Sequence, residues 1–371
     1  MSKSSPKSSK PYIEVKNLIK NFGAYRAIDN ISFSAAEGTF LTLLGPSGCG
    51  KTTTLMSIAG LHNIDSGEIV VGNTQFTVPQ QGIFLPPERR DIGMVFQNYA
   101  IWPHMTVAQN VAYPLEIRKV QRDEIDARVA DILELVGLSH VAGKVATNLS
   151  GGQQQRTALA RAIVSKPRLL LFDEPLSNLD LKLREQMRAE IKRVQQEVGI
   201  TSVFVTHDQS EALVMSDEII VMGEGHIQQR GKPREIYSNP QSAFVSNFIG
   251  TTNLLKGRVT AVTTPGFGHA EIVQNEIVLR LPCRLGEGLK VDSAIVVSVR
   301  PENIRLLAEN EGGDGLDGEV TDVIFFGNWV DCRVRSADRE WKVMVHPRAG
   351  WQRGDKAFLY LDPEHTLAIQ A

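Results

Sequence analysis

Cysteine is scarce in this chain, and long apolar runs are missing altogether. Cys49, Cys283 and Cys332 are the only three cysteines in 371 residues, too scattered for a disulfide framework or a metal-ligand spacing, so a reducing cytoplasm fits best. No apolar stretch approaches the roughly 20 residues that cross a bilayer, so any membrane role must be borrowed from a partner. An excess of one charge is missing too. A formal net charge of −2 gives no signal for binding nucleic acid or an acidic membrane surface. The first eleven residues, with three lysines among them and no apolar segment, read as a floppy tail and not as a signal peptide. No internal repeat occurs at solenoid or tandem-domain spacing. What remains is the composition of a globular protein, 42% hydrophobic and 22% charged, at a length that implies two domains.

The most informative stretch spans residues 149 to 180. Ser150 followed by Gln153 has the spacing of a capping box, which predicts a helix starting at Gly151 with unpaired N–H groups at its tip, a place that attracts anions. Gly151 and Gly152 carry no side chain to hold a phosphate away. Pro167 predicts the end of that helix before Lys166. Leu169 to Phe172 form a short, wholly apolar run, the pattern of a strand buried on both faces. Asp173 and Glu174 come directly after it at its C-terminal end, where open parallel sheets place their ligands. Taken singly, a capped helix or an acidic strand end is commonplace.

Upstream, residues 12–16 and 31–35 have strand character, with Asn21, Gly23 and Asp29 between them. Phe22 in this segment is either a packing residue or a flat surface for a purine base. A phosphate site close behind it gives the second reading weight. Thr39 to Leu44 is an apolar strand, and Gly45-Pro46-Ser47-Gly48-Cys49-Gly50-Lys51-Thr52 is a complete phosphate-binding loop entering a helix through Thr53. Its glycines let backbone N–H groups curl around a β-phosphate, Lys51 reaches the β and γ oxygens, and Thr52 offers a hydroxyl to Mg²⁺. Cys49 reads as a small space-filler. Gly67 to Val71 and Ile92 to Phe96 are further strands, and the second delivers Gln97, an amide able to touch a metal and an attacking water. Asn98 to Met105 sets Tyr99, Trp102 and Met105 in a loop, so the segment either folds inward or docks a partner. His104 has no companion at ligand spacing and reads as structural. A helix over 123–136 makes 98–148 a largely helical insert.

After Asp180 a second long helix carries Leu183, Met187, Ile191, Val194 and Val198 on one face, read as core, and stops at Gly199. Thr201 to Thr206 is a strand ending in His207-Asp208, so a third apolar strand ends in a residue of catalytic type. A hairpin comes next, at 219–228. Beyond Asn239-Pro240 the helical period disappears in favour of short strands at 258–262, 276–281, 294–299, 320–325, 330–334, 341–345 and 357–361, an all-β module with the strand pattern of a small barrel. Phe325, Phe326 and Trp329 lie without a basic groove and are read as core rather than as a base-stacking platform.

With the phosphate loop at 45–52, Gln97, Leu149-Ser-Gly-Gly-Gln153, Asp173-Glu174, Asp180 and His207 all in order, the chain resembles the ATP-binding subunit of an ABC transporter from residue 12 onward. The C-terminal part, notably Asn253 to Val259 and Val299 to Arg305, resembles the accessory β (TOBE-like) domain of ABC importer subunits such as those for polyamines, ferric iron and sugars. The resemblance implies an α/β P-loop NTPase over residues 12–240 with a helical insert near 98–155, then a small OB-like all-β barrel over 241–371. It further implies that Phe22 stacks on adenine and that Lys51, Thr52 and Thr53 sit at the phosphates. Thr52, Gln97 and Asp173 would serve Mg²⁺, Glu174 would polarise the attacking water, and His207 would contact the γ-phosphate. Ser150, Gly151, Gly152, Gln153 and Asp180 would face the nucleotide or interface of a second copy. The implied partners are that head-to-tail copy, transmembrane permease subunits docking near Tyr99 to Met105, and indirectly an extracytoplasmic solute-binding protein, with no nucleic acid. The implied place is the cytoplasmic face of the membrane, as a peripheral subunit. A rival is an ABC-superfamily ATPase acting on ribosomes or DNA, but neither paired ATP domains nor long coiled coils are visible. A phosphate-loop kinase with a β-barrel regulator leaves Leu149 to Gln153 unexplained.

Overall fold

The computed structural model describes residues 11–274, 277–310 and 315–371. The tail expected over 1–11 falls, up to residue 10, outside the described residues, as does Glu276, the expected start of one strand. The chain divides into two compact units, the first ending at Pro233 and the second running Arg234–Ala371.

The first unit is built on a six-stranded sheet ordered His226–Gly231, Glu218–Gly223, Phe40–Leu44, Thr201–Thr206, Leu169–Asp173, Ile92–Val95. All neighbours are parallel except the first two, which form the expected hairpin. The wholly apolar strands are what a sheet covered on both faces requires. One face sends Leu41, Leu43, Leu169, Leu171, Val203 and Val205 against helix α1 (Lys51–Ala59) and a second, antiparallel sheet that starts with the hairpin Ile13–Phe22 and Tyr25–Ala35. The other face stacks Phe40, Phe172 and Phe204, with ring centroids 5.7 to 6.1 Å apart. Over these lie the insert, α4 (Gly151–Ile163) and α5 (Leu181–Val198).

The insert contains α2 (Val107–Ile117) and α3 (Arg122–Leu135). The apolar period of the sequence reveals α3 but not α2, whose internal Pro114 masks a helical pattern. Thr106 nonetheless forms a complete capping box with Gln109, so a signal is present at the start of the helix. Helix α4 ends at Ile163, short of the limit that Pro167 sets.

Arg90, in the connection leading to the Ile92–Val95 strand, is structural. It is 1% exposed. Its guanidinium donates to the carbonyls of Leu85, Ser57, Ile58 and Phe76 and to Thr77 Oγ1 at 2.7 to 3.4 Å, between the rings of Phe76 and Phe84. Burial pulls its pKa down to about 10, so it stays charged and neutralises carbonyls in the last turn of α1. A lysine has neither the planar fork nor enough donors for five acceptors. Arg90→Lys is therefore expected to cost roughly 3 kcal/mol of stability, read from the midpoint of urea unfolding, since several buried acceptors lose their partners.

The second unit is all-β apart from short helices such as Ala243–Phe248. It holds a closed five-stranded barrel (Asn253–Thr264, Phe267–Gln274, Ile277–Leu285, Thr366–Gln370, Ala294–Val299) and also a five-stranded sheet (Ile304–Leu307, Lys356–Leu361, Gly315–Phe325, Val330–Ser336, Arg339–Val345). One apolar core, with Leu255, Val297, Trp341 and Leu359, serves both. The expected small all-β barrel is present, and a five-stranded sheet accompanies it; strands such as those at 304–307 and 366–370 are too short to stand out as apolar runs in the sequence. One expectation needs correcting. Phe325 and Phe326 are not core: they are 70% and 54% exposed at a hairpin tip, Phe326 stacking on Trp329.

Candidate functional site

Register in the parallel sheet assembles the site. Leu44 lies opposite Thr206, Asp173 opposite Val205, and Phe172 opposite Val95. The phosphate loop, His207, Asp173-Glu174 and the approach to Gln97 therefore leave the same edge of the sheet, at the carboxyl ends of adjacent strands.

The loop after Leu44 is shaped by what its glycines lack. A Cβ on Gly45 would lie 2.3 Å from the Met222 carbonyl oxygen, and one on Gly50 would lie 2.5 Å from that of Ala27. Gly48, at φ +79°, opens instead onto free space, the place for a phosphate against main-chain N–H groups. Gly50 ends the loop at φ 99° and Lys51 begins α1, so Lys51, Thr52 and Thr53 form the helix's first turn. Lys51 is 4% exposed, and its ammonium donates to the carbonyls of Gly45 and Pro46 at 2.9 and 2.8 Å. Cys49 is buried, and burial pushes its thiol pKa up, in keeping with a space-filler.

A cavity of about 260 Å³ lies over the loop, lined by Ser47, Gly48 and the α1 first turn, by Glu174, and by the rings of Phe22 and Tyr25. Phe22 is the last residue of its strand and 46% exposed, which removes the packing reading. Lys20 and the edge-on His62 ring lie beside it.

Thr52 Oγ1 donates to Asp173 Oδ1 at 3.2 Å. Burial pushes the Asp173 carboxyl up and the neighbouring Glu174 adds to it, with the Thr52 bond opposing. Glu174 Oε2 is 2.9 Å from His207 Nδ1. Glu174 also sits at φ 43°, a left-handed conformation that costs of order 1 to 2 kcal/mol for a non-glycine residue. Its N–H donates to Val205 O, and its carbonyl accepts from Ser177 Oγ, so the surrounding loop holds the strain. Gln97 is at the neighbouring strand end, and its carbonyl accepts from Asn178 Nδ2. Thr52 and Asp173 are hard oxygen donors at a spacing that suits a small divalent cation such as Mg²⁺. Among the described residues no three His, Cys, Asp or Glu side chains cluster as a metal site.

Comparison with known proteins decides what this edge belongs to. The family model for the ABC transporter domain matches residues 28–177, and that for the TOBE domain matches 297–369. Similar relatives include the spermidine/putrescine import ATP-binding protein PotA of Pseudomonas fluorescens, 43% identical over 97% of this chain and 98% of its own length. The Fe(3+) ions import ATP-binding protein FbpC 1 of Rhizobium meliloti is 45% identical over 87% of each. The trehalose/maltose import ATP-binding protein MalK of Thermococcus litoralis is 46% identical over 79% and 78%. The chain belongs to the ABC transporter family. Among solved structures, cbiO1 of Clostridium perfringens, part of the ABC transporter complex cbiONQ, superposes with a TM-score of 0.56 at 29% identity, covering 62% of this chain and 91% of that one.

This ABC subunit is thus an import-type ATPase with a C-terminal TOBE domain, and its remaining motif residues can be placed. Ser150 caps α4 in the expected reciprocal box: its N–H donates to Gln153 Oε1 at 3.1 Å, and Gln153 N–H to Ser150 Oγ at 3.4 Å. The room left by Gly151 and Gly152 is taken up by Leu179 and Leu183 of the same chain. Asp180 caps α5, accepting from the Leu183 N–H at 3.0 Å. None of Ser150, Gly151, Gly152, Gln153 and Asp180 lines the cavity over the phosphate loop.

Residues outside the motifs also serve the edge. Tyr25 is 58% exposed and its hydroxyl donates to the Gly48 carbonyl at 3.0 Å, making a second aromatic wall. Its only sequence signal is its place as a second aromatic just past Gly23. Tyr99 and Ala100 both adopt positive φ, 57° and 47°, and Arg161 clamps their carbonyls at 2.8 and 2.6 Å. The Trp102 ring covers that guanidinium at 4.7 Å and packs on Tyr113 at 4.2 Å. Part of the loop folds inward, with Tyr99 buried, while Pro103 and His104 are exposed. Beside it, Met94, Phe96, Trp102, Tyr113 and Ile117 line an open groove of about 480 Å³.

Proposed function

We propose that this subunit hydrolyses Mg²⁺-ATP at the cytoplasmic face of the membrane to power import of a small solute, a polyamine being favoured over ferric iron or a sugar. The reading is carried by one arrangement, the pairs Thr52–Asp173 and Glu174–His207 on one sheet edge above the phosphate loop. Phe22 and Tyr25 grip the base, and the backbone N–H groups from Ser47 to Thr53 and the Lys51 ammonium hold the phosphates. Thr52, Asp173 and Gln97 would bind Mg²⁺, which neutralises charge on the β and γ oxygens. Glu174 draws the proton of the attacking water, and His207, held by Glu174, contacts the γ-phosphate. Ser150 and Gly152 at the tip of α4 act on the nucleotide of a second copy, with Asp180 at the interface. Splitting the site between two chains makes closure depend on ATP and opening on hydrolysis.

Among the described residues no helix is long and apolar enough to cross a membrane. The translocation path belongs to permease subunits, whose cytoplasmic helix would seat in the groove beside Trp102. The polyamine preference rests on coverage, since several PotA proteins match 95 to 97% of this chain. The deciding test is to assemble the complete transporter in vesicles and find which solute, polyamine, ferric iron or sugar, stimulates ATPase. Within that assembly, Trp102→Glu combined with Ile117→Glu, both in the groove lining, is expected to lower solute transport at least about 10-fold while basal ATPase of the free subunit stays within twofold, because charge in a groove that docking desolvates opposes that docking. Unchanged transport would remove the docking assignment.

A further inference from the structure

Behind His207 lies a charged cluster that no motif covers. Helix α5, capped by Asp180, sends Arg184 and Arg188 from successive turns toward the loop after the Thr201–Thr206 strand. Arg184 Nη1 and Arg188 Nη2 both lie 3.2 Å from Asp208 Oδ2. The second carboxylate, Glu211, is 3.9 Å from each arginine and accepts from Thr206 Oγ1 at 2.5 Å. Asp208 is thoroughly tied: its N–H donates to Thr206 Oγ1 at 2.9 Å, and its Oδ1 accepts from the Glu211 N–H at 3.1 Å. Arg184 does one thing more. Its Nη2 donates to the carbonyl of Leu179 at 3.2 Å, so a single guanidinium joins the residue before Asp180 to the residue after His207.

Stability alone is a poor reason for such a cluster. Glu211 and Arg188 are 3% and 8% exposed, and a buried ion network seldom outdoes apolar packing of the same volume. Its hydrogen bonding is also incomplete, because the Nε atoms of Arg184 and Arg188 are buried without a hydrogen-bond partner. Burial pushes the Glu211 carboxyl up. For Asp208 the same burial is outweighed by the Glu211 and Ser210 N–H bonds and by the two arginines, leaving it below the usual carboxylate range. The anion on Asp208 is thus secured where it can hold the adjoining His207 in place. A guanidinium is the group that can bind a carboxylate and a carbonyl together in fixed geometry.

We propose that Arg184 is a positioning residue, a strut that transmits docking of a second copy at the Leu179–Asp180 turn to the His207 ring beside Glu174. The inference rests on the reading of His207 as a γ-phosphate contact. It assigns Arg184 no contact with the nucleotide.

The test uses the full-length chain and steady-state ATPase. Arg184→Gln is expected to lower kcat about 10-fold with KM for ATP within twofold, as a small misplacement of a catalytic group does, and Arg184→Lys to recover part of the loss. Arg193→Gln, on the same helix but bound to Glu190, Glu197 and the Leu135 carbonyl and not to the His207 loop, is the control and should keep full activity. In a His207→Ala background Arg184→Gln should cost nothing further, because both changes remove the same contribution. An independent readout is the ¹⁵N signal of the His207 ring, which should shift in Arg184→Gln and not in Arg193→Gln. A folded Arg184→Gln with kcat within twofold of the parent, or an equal loss in the His207→Ala background, overturns the strut. A fully active His207→Ala overturns the reading of His207 and the strut with it, whereas an inactive His207→Ala beside a fully active Arg184→Gln overturns the strut alone.

Discussion

Glu174→Gln is expected to lower ATP turnover by about 10³-fold, within the range for loss of a positioned general base, while ATP still binds with its affinity within a few-fold. The proposed role suits the setting of this carboxylate, which has a left-handed backbone at φ 43° and His207 Nδ1 at 2.9 Å from Oε2. A glutamine fills the same volume and can keep a hydrogen bond to the imidazole, so the site should stay assembled and lose only its proton acceptor. The folded, nucleotide-bound pair then has no route to release, and ATP-loaded Glu174→Gln should run as a dimer in size-exclusion chromatography. Phosphate release within twofold of the parent would show that another group takes the proton.

The second large effect concerns the address of the helix tip at Ser150. In the Glu174 case one chain's own cavity loses its chemistry; here the loss should appear in the neighbour's cavity. Ser150→Arg is expected to cut ATPase by at least about 10²-fold, since the electrostatic contact proposed for Ser150 at a transferring phosphoryl group would give way to a bulky side chain, with ATP affinity of the single chain unchanged. Lys51→Ala should be equally inactive because its own phosphate loop is disabled. Mixing the two inactive chains is the sharper measurement. A mixed dimer contains one site with both defects and one with neither, so activity should return well above that of either variant alone. The cap lost at Ser150 costs about 1 kcal/mol, so circular dichroism of the mixed sample checks that both chains remain folded. Failure of the mixture to regain activity would place Ser150 in the service of its own chain.

Legibility from sequence depends on the physics of each signal. The parallel sheet is readable because strands buried on both faces are continuous apolar runs, and the strand at 201–206 matches its expected bounds. Caps are equally plain: the Ser150–Gln153 box and the glycines after α1 and α5 mark helix ends through local chemistry alone. What stays hidden is decided by tertiary context. Tyr25 and Arg184 belong to no motif and acquire their tasks through partners 23 and 24 positions away. Arg90 looks like turn material because a charge is ordinarily exposed, and only the fold supplies five acceptors for it. Phe325 and Phe326 fail the opposite way, since an aromatic is mostly buried, and the Gly327-Asn328 turn signal beside them does not by itself say which flanking side chains a hairpin tip leaves in solvent. Helix α2 is obscured by the proline inside it.

The register of the central sheet bears on how this chain can change over evolutionary time. The positions of Lys51, Asp173, Glu174 and His207 derive from main-chain ladders in which Leu44 sits opposite Thr206 and Asp173 opposite Val205, and these ladders do not depend on which aliphatic side chain fills the layer beneath. Substitutions among the leucines, valines and isoleucines of those strands are therefore drawn from a reservoir of stability before they touch catalysis. A lineage can drift through many core sequences, each melting somewhat earlier or later than the last, while every folded copy presents the same four groups at the same edge.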